Sequence, residues 1–324
     1  MSSITKIQTP IKVEMSKFED LFKASMKSKV PLLNIITKYI LLRKGKQMRP
    51  MFVFLSAKLN GTVTDATYTA ASLIELLHTA TLIHDDVVDE SYERRGFFSI
   101  NALWRSKIAV LMGDYLLSKG LLLSVRHKAF DLLEIVSEAV REMSEGELLQ
   151  IQRSRTLNIT REQYLEIIRK KTATLISACS ACGAKSVGCD EETVERMKKF
   201  GEYVGISFQI KDDLFDYQSK GLIGKPTGND IKEKKLTLPL IYALENSTKS
   251  EKQTILKIIK KENNNDEKIK TVVSFVNSKG GIDFASKMMM EYKNKAIDLL
   301  SAYSPSESKD SLIELVNYTI ERNK

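Results

Sequence analysis

The feature that most constrains this chain is a mostly apolar run from Leu73 to Ile83 that ends on three carboxylates, Asp85, Asp86 and Asp89. A helix with so little polar face has to be buried on most sides. At about 100° per residue, Asp85 and Asp89 fall one turn apart on one face, with Asp86 within about 60° of Asp89. Carboxylates gathered on the edge of a buried helix repel one another and lose hydration, so they call for a counter-cation. Arg94 and Arg95 lie past the helix end and cannot easily serve all three. A divalent ion can.

The second half repeats the device. Phe208-Gln209-Ile210-Lys211 leads into Asp212, Asp213 and Asp216, the same D-D-x-x-D spacing behind another apolar helical run. One acidic triplet at a helix end is usually solvated surface. Two with identical spacing read as two carboxylate walls facing across a cavity.

Composition narrows the frame. Six Pro and 15 Gly in 324 residues, with no sustained period-two alternation, predict an all-α chain. Residues 1–10 are expected to be loose and 11–324 to form one helical domain, a bundle around a deep central cavity. Cys179 and Cys182 have metal-like spacing, but they sit in the small-residue run ATLISACSACGA without further ligands, so they read as packing. The net charge of +9 lies largely in solvated lysine-rich segments, and no aromatic-interleaved basic patch points to nucleic acid. No uncharged apolar run of about 18 residues is present to make a transmembrane segment, and the N-terminus lacks the apolar centre of a secretory signal. A cytoplasmic protein is expected.

Cations stand beside the acidic motifs. Lys46 and Arg49 lie in GKQMRP, with Gly45 breaking one helix and Pro50 suited to the first turn of the next, an anion clamp near a helix start. His78 lies two turns before Asp85 on nearly the same face, while Asp114 reads as a paired core group. Lys171 and Thr172 precede the buried small-residue run, and Thr160 with Gln163 predicts a capping box. Residues 221–230, containing Lys225 and Asp230, form a flexible glycine-bearing loop, and Lys235 opens the next helical stretch. Clustered carboxylates suit Mg2+, which keeps waters and shares phosphate oxygens with its ligand. Two sets of cations imply two anionic groups, one metal-bridged and activated as a leaving group, the other merely positioned. An apolar, water-poor surround would then protect a reactive cation.

These residues resemble the trans-type polyprenyl diphosphate synthases. GKQMRP, LLHTATLIHDDVVDESYERRG, KKTATL, FQIKDDLFD, GKPTGND and KLTLP occur in that family's order from Gly45 to Pro239. The resemblance implies an isoprenoid synthase-like bundle, a homodimer, and head-to-tail condensation of isopentenyl diphosphate onto an allylic diphosphate, farnesyl or geranylgeranyl. It assigns Mg2+ to Asp85, Asp86, Asp89, Asp212, Asp213 and Asp216. Arg94, Lys171, Thr172, Gln209, Lys225 and Lys235 would contact the allylic diphosphate, and Lys46, Arg49, His78 and Arg95 the isopentenyl diphosphate. Two departures stand out: Lys44-Gly45-Lys46 replaces the Gly-Gly-Lys of many members, and Phe98 stands where a proline or small residue often follows the RRG.

Product length follows from residues four and five before Asp85. Thr81 and Ala80 lie about 6–8 Å deeper along the helix. Short-chain members carry bulky aromatics there, so Ala80 and Thr81 imply a long chain, hexaprenyl to decaprenyl, destined for a quinone. Leu77, Ile74 or the helix between Ile108 and Leu123 would set the floor. A terpene cyclase would leave the RRG and GKQMRP clamps unexplained, and a non-catalytic regulatory subunit would be expected to lack some of the six aspartates.

Overall fold

The chain is all-α, as its composition predicts. The computed structural model describes residues 3–42, 45–94, 96–217 and 228–321. Along them run α1 (Ser3–Ile7), α2 (Lys12–Ser25), α3 (Pro31–Leu42), α4 (Met48–Asn60), α5 (Asp65–Val88), α6 (Ile100–Arg126), α7 (Phe130–Thr156) and α8 (Arg161–Ile168). There follow α9 (Thr174–Lys185), α10 (Glu191–Phe215), α11 (Asn229–Lys232), α12 (Leu238–Glu245), α13 (Lys249–Lys261), α14 (Asp266–Ser278), α15 (Gly281–Leu299) and α16 (Glu307–Glu321). Among the described residues the β structure is one antiparallel ribbon, β1 (Glu93–Arg94) and β2 (Phe97–Phe98), paired Glu93 to Phe98 and Arg94 to Phe97. The single domain expected over 11–324 divides into two compact units. The first comprises Met1–Val140, Ala178–Lys198 and Tyr303–Leu315, the second Arg141–Ser177, Lys199–Ala302 and Val316–Lys324.

In the first unit the N-terminal segment is not loose from Ser3 onward, contrary to the expectation for residues 1–10. Its two apolar anchors, Ile7 and Ile11, are fully buried. Lys58 Nζ also donates to the Pro10 carbonyl oxygen at 2.5 Å and pairs with Glu14 at 2.7 Å. Phe18, Phe22, Phe54 and Tyr68 join α2, α4 and α5 in one aromatic cluster, with ring centroids 5.2–6.0 Å apart. Pro31 opens α3, where the sequence predicts a break.

The central helix α5 begins with a reciprocal capping box between Thr64 and Thr67. Thr64 Oγ1 donates further to the Ser186 carbonyl oxygen at 2.9 Å. Its stripe Leu73, Leu77, Ala80 and His84 faces α6. A Cβ built on Gly113 of α6 would lie 2.2 Å from His84 Nε2, and one on Gly120 would lie 3.2 Å from Leu73 Cδ1. These glycines let the two helices approach closely. Asp114 is not a core group: its side chain is 59% exposed and lies 3.4 Å from His84 Nε2.

By length and composition α6 meets the requirement for a membrane span, with mean hydropathy 1.6 over its apolar window. Asp114 and Lys119 interrupt it, so it contains no uncharged apolar run of about 18 residues. Only 33% of that window is buried, and α6 exposes Leu103, Val110, Leu111, Leu121, Leu122 and Val125. Cys179 and Cys182 are fully buried free thiols, both pushed up by burial, Cys179 to about 12. Their small-residue run serves packing, since a Cβ on Gly183 would meet the Val53 carbonyl oxygen at 2.5 Å.

In the second unit, residues Arg169–Ala173 form a π-helix between α8 and α9 that the sequence reading does not anticipate. Two glycines press on it. A Cβ on Gly205 of α10 would lie 2.4 Å from Ala173 Cα, and one on Gly146 of α7 would lie 2.7 Å from the Lys171 amide nitrogen. Further along, Tyr242 of α12 stacks on Phe284 of α15 at 4.1 Å. Glu251 closes the capping box of α13 with Thr248 and holds Lys279 Nζ at 2.9 Å.

The Lys279 and Thr248 hydrogen bonds hold the Glu251 carboxyl down at about 2, from an ordinary 4.5. A depressed carboxyl contributes stability above its unfolded value and loses it as pH falls through its folded value. Glu251→Gln should therefore lower the melting temperature at pH 7, with the gap to the parent closing between about pH 4.5 and pH 2. A gap independent of pH in thermal melts would contradict this.

Candidate active site

In the first unit, α5 delivers Asp85 and Asp86, while Asp89 is the residue that caps its C-terminus. Asp86 is buried at 5% exposure, whereas Asp85 and Asp89 are exposed. The turn beyond is fixed by backbone bonds: Asp89 N–H to the Asp85 carbonyl oxygen at 2.8 Å and Ser91 N–H to that of Asp86 at 2.9 Å. Ser99, the N-cap of α6, donates its hydroxyl to the Ser91 carbonyl oxygen at 2.7 Å. That bond closes the loop carrying the β ribbon, in which Gly96 takes φ 77°. Arg94 enters the ribbon through its backbone, and Arg95 lies outside the described residues. Phe98 is exposed, and its carbonyl oxygen accepts a hydrogen bond from Tyr39 Oη at 2.8 Å.

At about 100° per residue, His78, Asp85 and Asp89 share a face of α5. Thr81 lies within about 40° of Asp85, but Ala80 is turned about 140° away, onto the stripe facing α6. Ala80 is 2% exposed and Leu77 3% exposed, Leu77 lying in reach of Gly120. Thr81 is half-buried and donates its hydroxyl to the His78 carbonyl oxygen at 2.9 Å. Before α4, Gln47 adopts a left-handed conformation (φ 51°) that turns the chain between exposed Lys46 and half-buried Arg49.

In the second unit one pocket gathers Lys171, Thr172, Gln209, Asp213, Asp230 and Lys235. Lys171 and Thr172 reach it from the π-helix. Thr172 Oγ1 donates to Gln209 Oε1 at 2.8 Å, Gln209 Nε2 donates to Asp213 Oδ1 at 2.8 Å, and Tyr164 Oη donates to Asp213 Oδ2 at 2.6 Å. Consecutive cations of the π-helix pair with a ladder of glutamates on α7: Arg169 with Glu142 at 2.9 Å, Lys170 with Glu145 at 2.7 Å, and Lys171 with Glu147. Lys235 pairs with Glu233.

Asp216 behaves differently from its neighbours in the motif. Its Oδ1 accepts the N–H groups of Gly228 at 3.0 Å and Asn229 at 2.8 Å, and its Oδ2 that of Asp230 at 3.0 Å. The carboxylate thus caps the start of α11. Asp230, read from sequence as part of a flexible loop, is thereby fixed in a helical turn, while 218–227, with Lys225, lie outside the described residues.

Burial pushes Asp213 up to about 7, against the hydrogen bonds of Tyr164 and Gln209 and the charge of Lys235. Burial, with the charges of Asp213 and Asp216, pushes Asp230 up to about 8. Burial alone would lower Lys235, but Glu233, Asp230 and Glu147 outweigh it and raise that group. Burial, the largest cause in both, disfavours the charged form of these carboxyls, and an oxygen-preferring divalent cation would favour it. Among the described residues no three His, Cys, Asp or Glu side chains converge closely enough to hold an ion alone.

Sequence reasoning misses Tyr164, Glu147 and Glu233, and leaves Asp230 without a role. Tyr164 had one signal: it lies seven residues before Lys171, two helical turns along the same face.

The comparisons agree with this chemistry. The family model described as "Polyprenyl synthetase" matches residues 30–276. The octaprenyl diphosphate synthase of Escherichia coli is 34% identical over 92% of this chain and 93% of its own. The crystal structure of the polyprenyl synthase of Caulobacter crescentus, complexed with calcium and isoprenyl diphosphate, aligns at a TM-score of 0.90. It is 31% identical and covers 99% of this chain and 98% of its own. That of the geranylgeranyl pyrophosphate synthase of Bacteroides thetaiotaomicron aligns at 0.84, 39% identical, over 99% and 100%. The chain is a prenyltransferase and belongs to the polyprenyl synthetase family.

Proposed function

We propose that this chain is a Mg2+-dependent, long-chain trans-polyprenyl diphosphate synthase that adds isopentenyl diphosphate head-to-tail to farnesyl or geranylgeranyl diphosphate. The observation that carries this reading is the second-unit pocket, where two lysines, a hydroxyl and an amide meet buried carboxylates. Lys171, Thr172, Gln209 and Lys235 bind the allylic diphosphate there, with Arg94 and Lys225 added by family likeness. Glu147 and Glu233 hold the two ammonium groups in place and yield them when a stronger anion arrives. Lys46, Arg49, His78 and Arg95 hold the isopentenyl diphosphate.

Asp85, Asp86, Asp89, Asp212 and Asp213 are the proposed Mg2+ ligands, with Asp216 supporting the motif from its place under α11. When bound, Mg2+ neutralises the diphosphate and makes it a better leaving group. The allylic C–O bond breaks with its electron pair leaving on pyrophosphate. The double bond of isopentenyl diphosphate captures the cation, and a proton passes to the released pyrophosphate to restore a double bond. The cation is sheltered by apolar residues of the pocket, Ile159, Ile167, Ile168 and Leu236 among them, which exclude water.

The octaprenyl relative and the absence of an aromatic at Thr81 support a product of six to ten units; a quinone side chain is its proposed destination and the cytoplasm its proposed location. The exposed apolar face of α6 supports a homodimer, since contiguous apolar surface of this kind marks interaction sites. Gel filtration with light scattering should give twice 36.7 kDa, and Leu111→Glu with Leu122→Glu should shift it to one copy; a parent protein of one copy would contradict the assignment.

Asp85→Ala and Asp212→Ala should each lower kcat/KM by at least about 100-fold with unchanged circular dichroism, as loss of transition-state charge stabilisation does. Near-parental activity in both would refute the metal-bridging role. Incubation with farnesyl diphosphate, labelled isopentenyl diphosphate and Mg2+, read by mass spectrometry, tests the function: a long all-trans product supports it and a cyclic hydrocarbon overturns it. In the same assay Thr81→Phe should shorten the product more than Ala80→Phe, because Thr81 shares the Asp85 face. The opposite order would place the tail on the α6 side.

A further inference from the structure

Tyr164 is 3% exposed and sits on α8, one helical turn before the π-helix. Its hydroxyl is delivered to Asp213 from outside α10, at 2.6 Å from Oδ2. The other carboxylate oxygen takes Gln209 Nε2 at 2.8 Å, from one turn earlier on α10 itself. With one donor on each oxygen the carboxylate plane is fixed, while each oxygen retains a lone pair for a further partner. Without Tyr164, Asp213 would be tethered only through its own helix and free to rotate about χ2, a broad torsion.

The segment carrying Tyr164 continues directly into Lys171 and Thr172, and all three line the same pocket. Thr172 in turn orients Gln209 through its 2.8 Å hydrogen bond. One stretch of chain thus sets both the cationic groups and, from two sides, the carboxylate. We propose that Tyr164 is a positioning residue that holds Asp213 in its ligating orientation, so that the protein binds a metal–diphosphate with a low Mg2+ requirement. This rests on the assignment of Asp213 as a metal ligand above. Outer-shell partners of metal-ligating groups typically contribute about 10–100-fold in metal affinity when removed.

The test is Tyr164→Phe, which keeps the ring and its packing, compared with the parent and with Tyr292→Phe, a tyrosine of α15 that contacts Tyr203 away from the pocket. Calorimetric binding of inorganic pyrophosphate across a Mg2+ series is the readout independent of turnover. Tyr164→Phe should raise the Mg2+ concentration for half-maximal pyrophosphate binding by about 10-fold or more. KM for the allylic diphosphate should rise with it while KM for isopentenyl diphosphate stays put, and Tyr292→Phe should match the parent. An unchanged Mg2+ requirement in Tyr164→Phe, with the parent binding normally, overturns the positioning role alone. A rise in both KM values accompanied by a lower melting temperature overturns it in favour of a merely structural tyrosine. A parent that binds no pyrophosphate in Mg2+ overturns the metal–diphosphate reading and this inference together.

Discussion

A carboxylate taken out of water loses far more hydration energy than one hydrogen bond returns, and Asp213 is such a group. The second unit is arranged around keeping it there. Tyr164 and Gln209 each donate to one of its oxygens, Thr172 fixes Gln209, and Lys235 supplies nearby positive charge. These partners do not suffice, since burial still pushes the group up to about 7 and its neighbour Asp230 to about 8. In the proposed function a cation that arrives with a diphosphate would favour the charged forms that burial disfavours.

Holding these groups together requires unusually close backbones. Gly205 and Gly146 press on the π-helix at distances where a Cβ would meet backbone atoms at 2.4 and 2.7 Å. Packing this tight leaves little room for adjustment, so the bulge that presents Lys171 and Thr172 is held by shape as well as by its ion pairs to α7. π-helical turns are uncommon and concentrate at functional sites because they displace a few side chains from the ordinary helical phase. Here that displacement falls on the two residues with the clearest anion-binding chemistry.

The parts of this account legible in the sequence are those written in local spacing. The apolar run into Asp85 marks the C-terminal half of α5, Pro31 and Gly45 mark breaks, and Thr160 with Gln163 forms its capping box at 3.2–3.3 Å. What spacing hides is set by distant partners. Tyr164 meets Asp213 across 49 positions. Asp216 fits the metal-ligand spacing equally well, yet its oxygens are taken by the backbone of residues 228–230. Ala80 and Thr81 are adjacent in sequence and face different neighbours, a distinction only helical phase and the glycines of α6 reveal. The N-terminal helix rests on Ile7 and Ile11, too few residues to make a periodic signal.

The proposed site is incomplete in its carboxylates and closes only with metal and diphosphate together. Titration calorimetry of inorganic pyrophosphate into the purified protein, with and without Mg2+, and of Mg2+ alone, tests it most directly. Tight pyrophosphate binding in Mg2+, weak binding without it, and weak binding of Mg2+ by itself are expected. Pyrophosphate affinity indifferent to Mg2+, or tight Mg2+ binding with no diphosphate present, would contradict it.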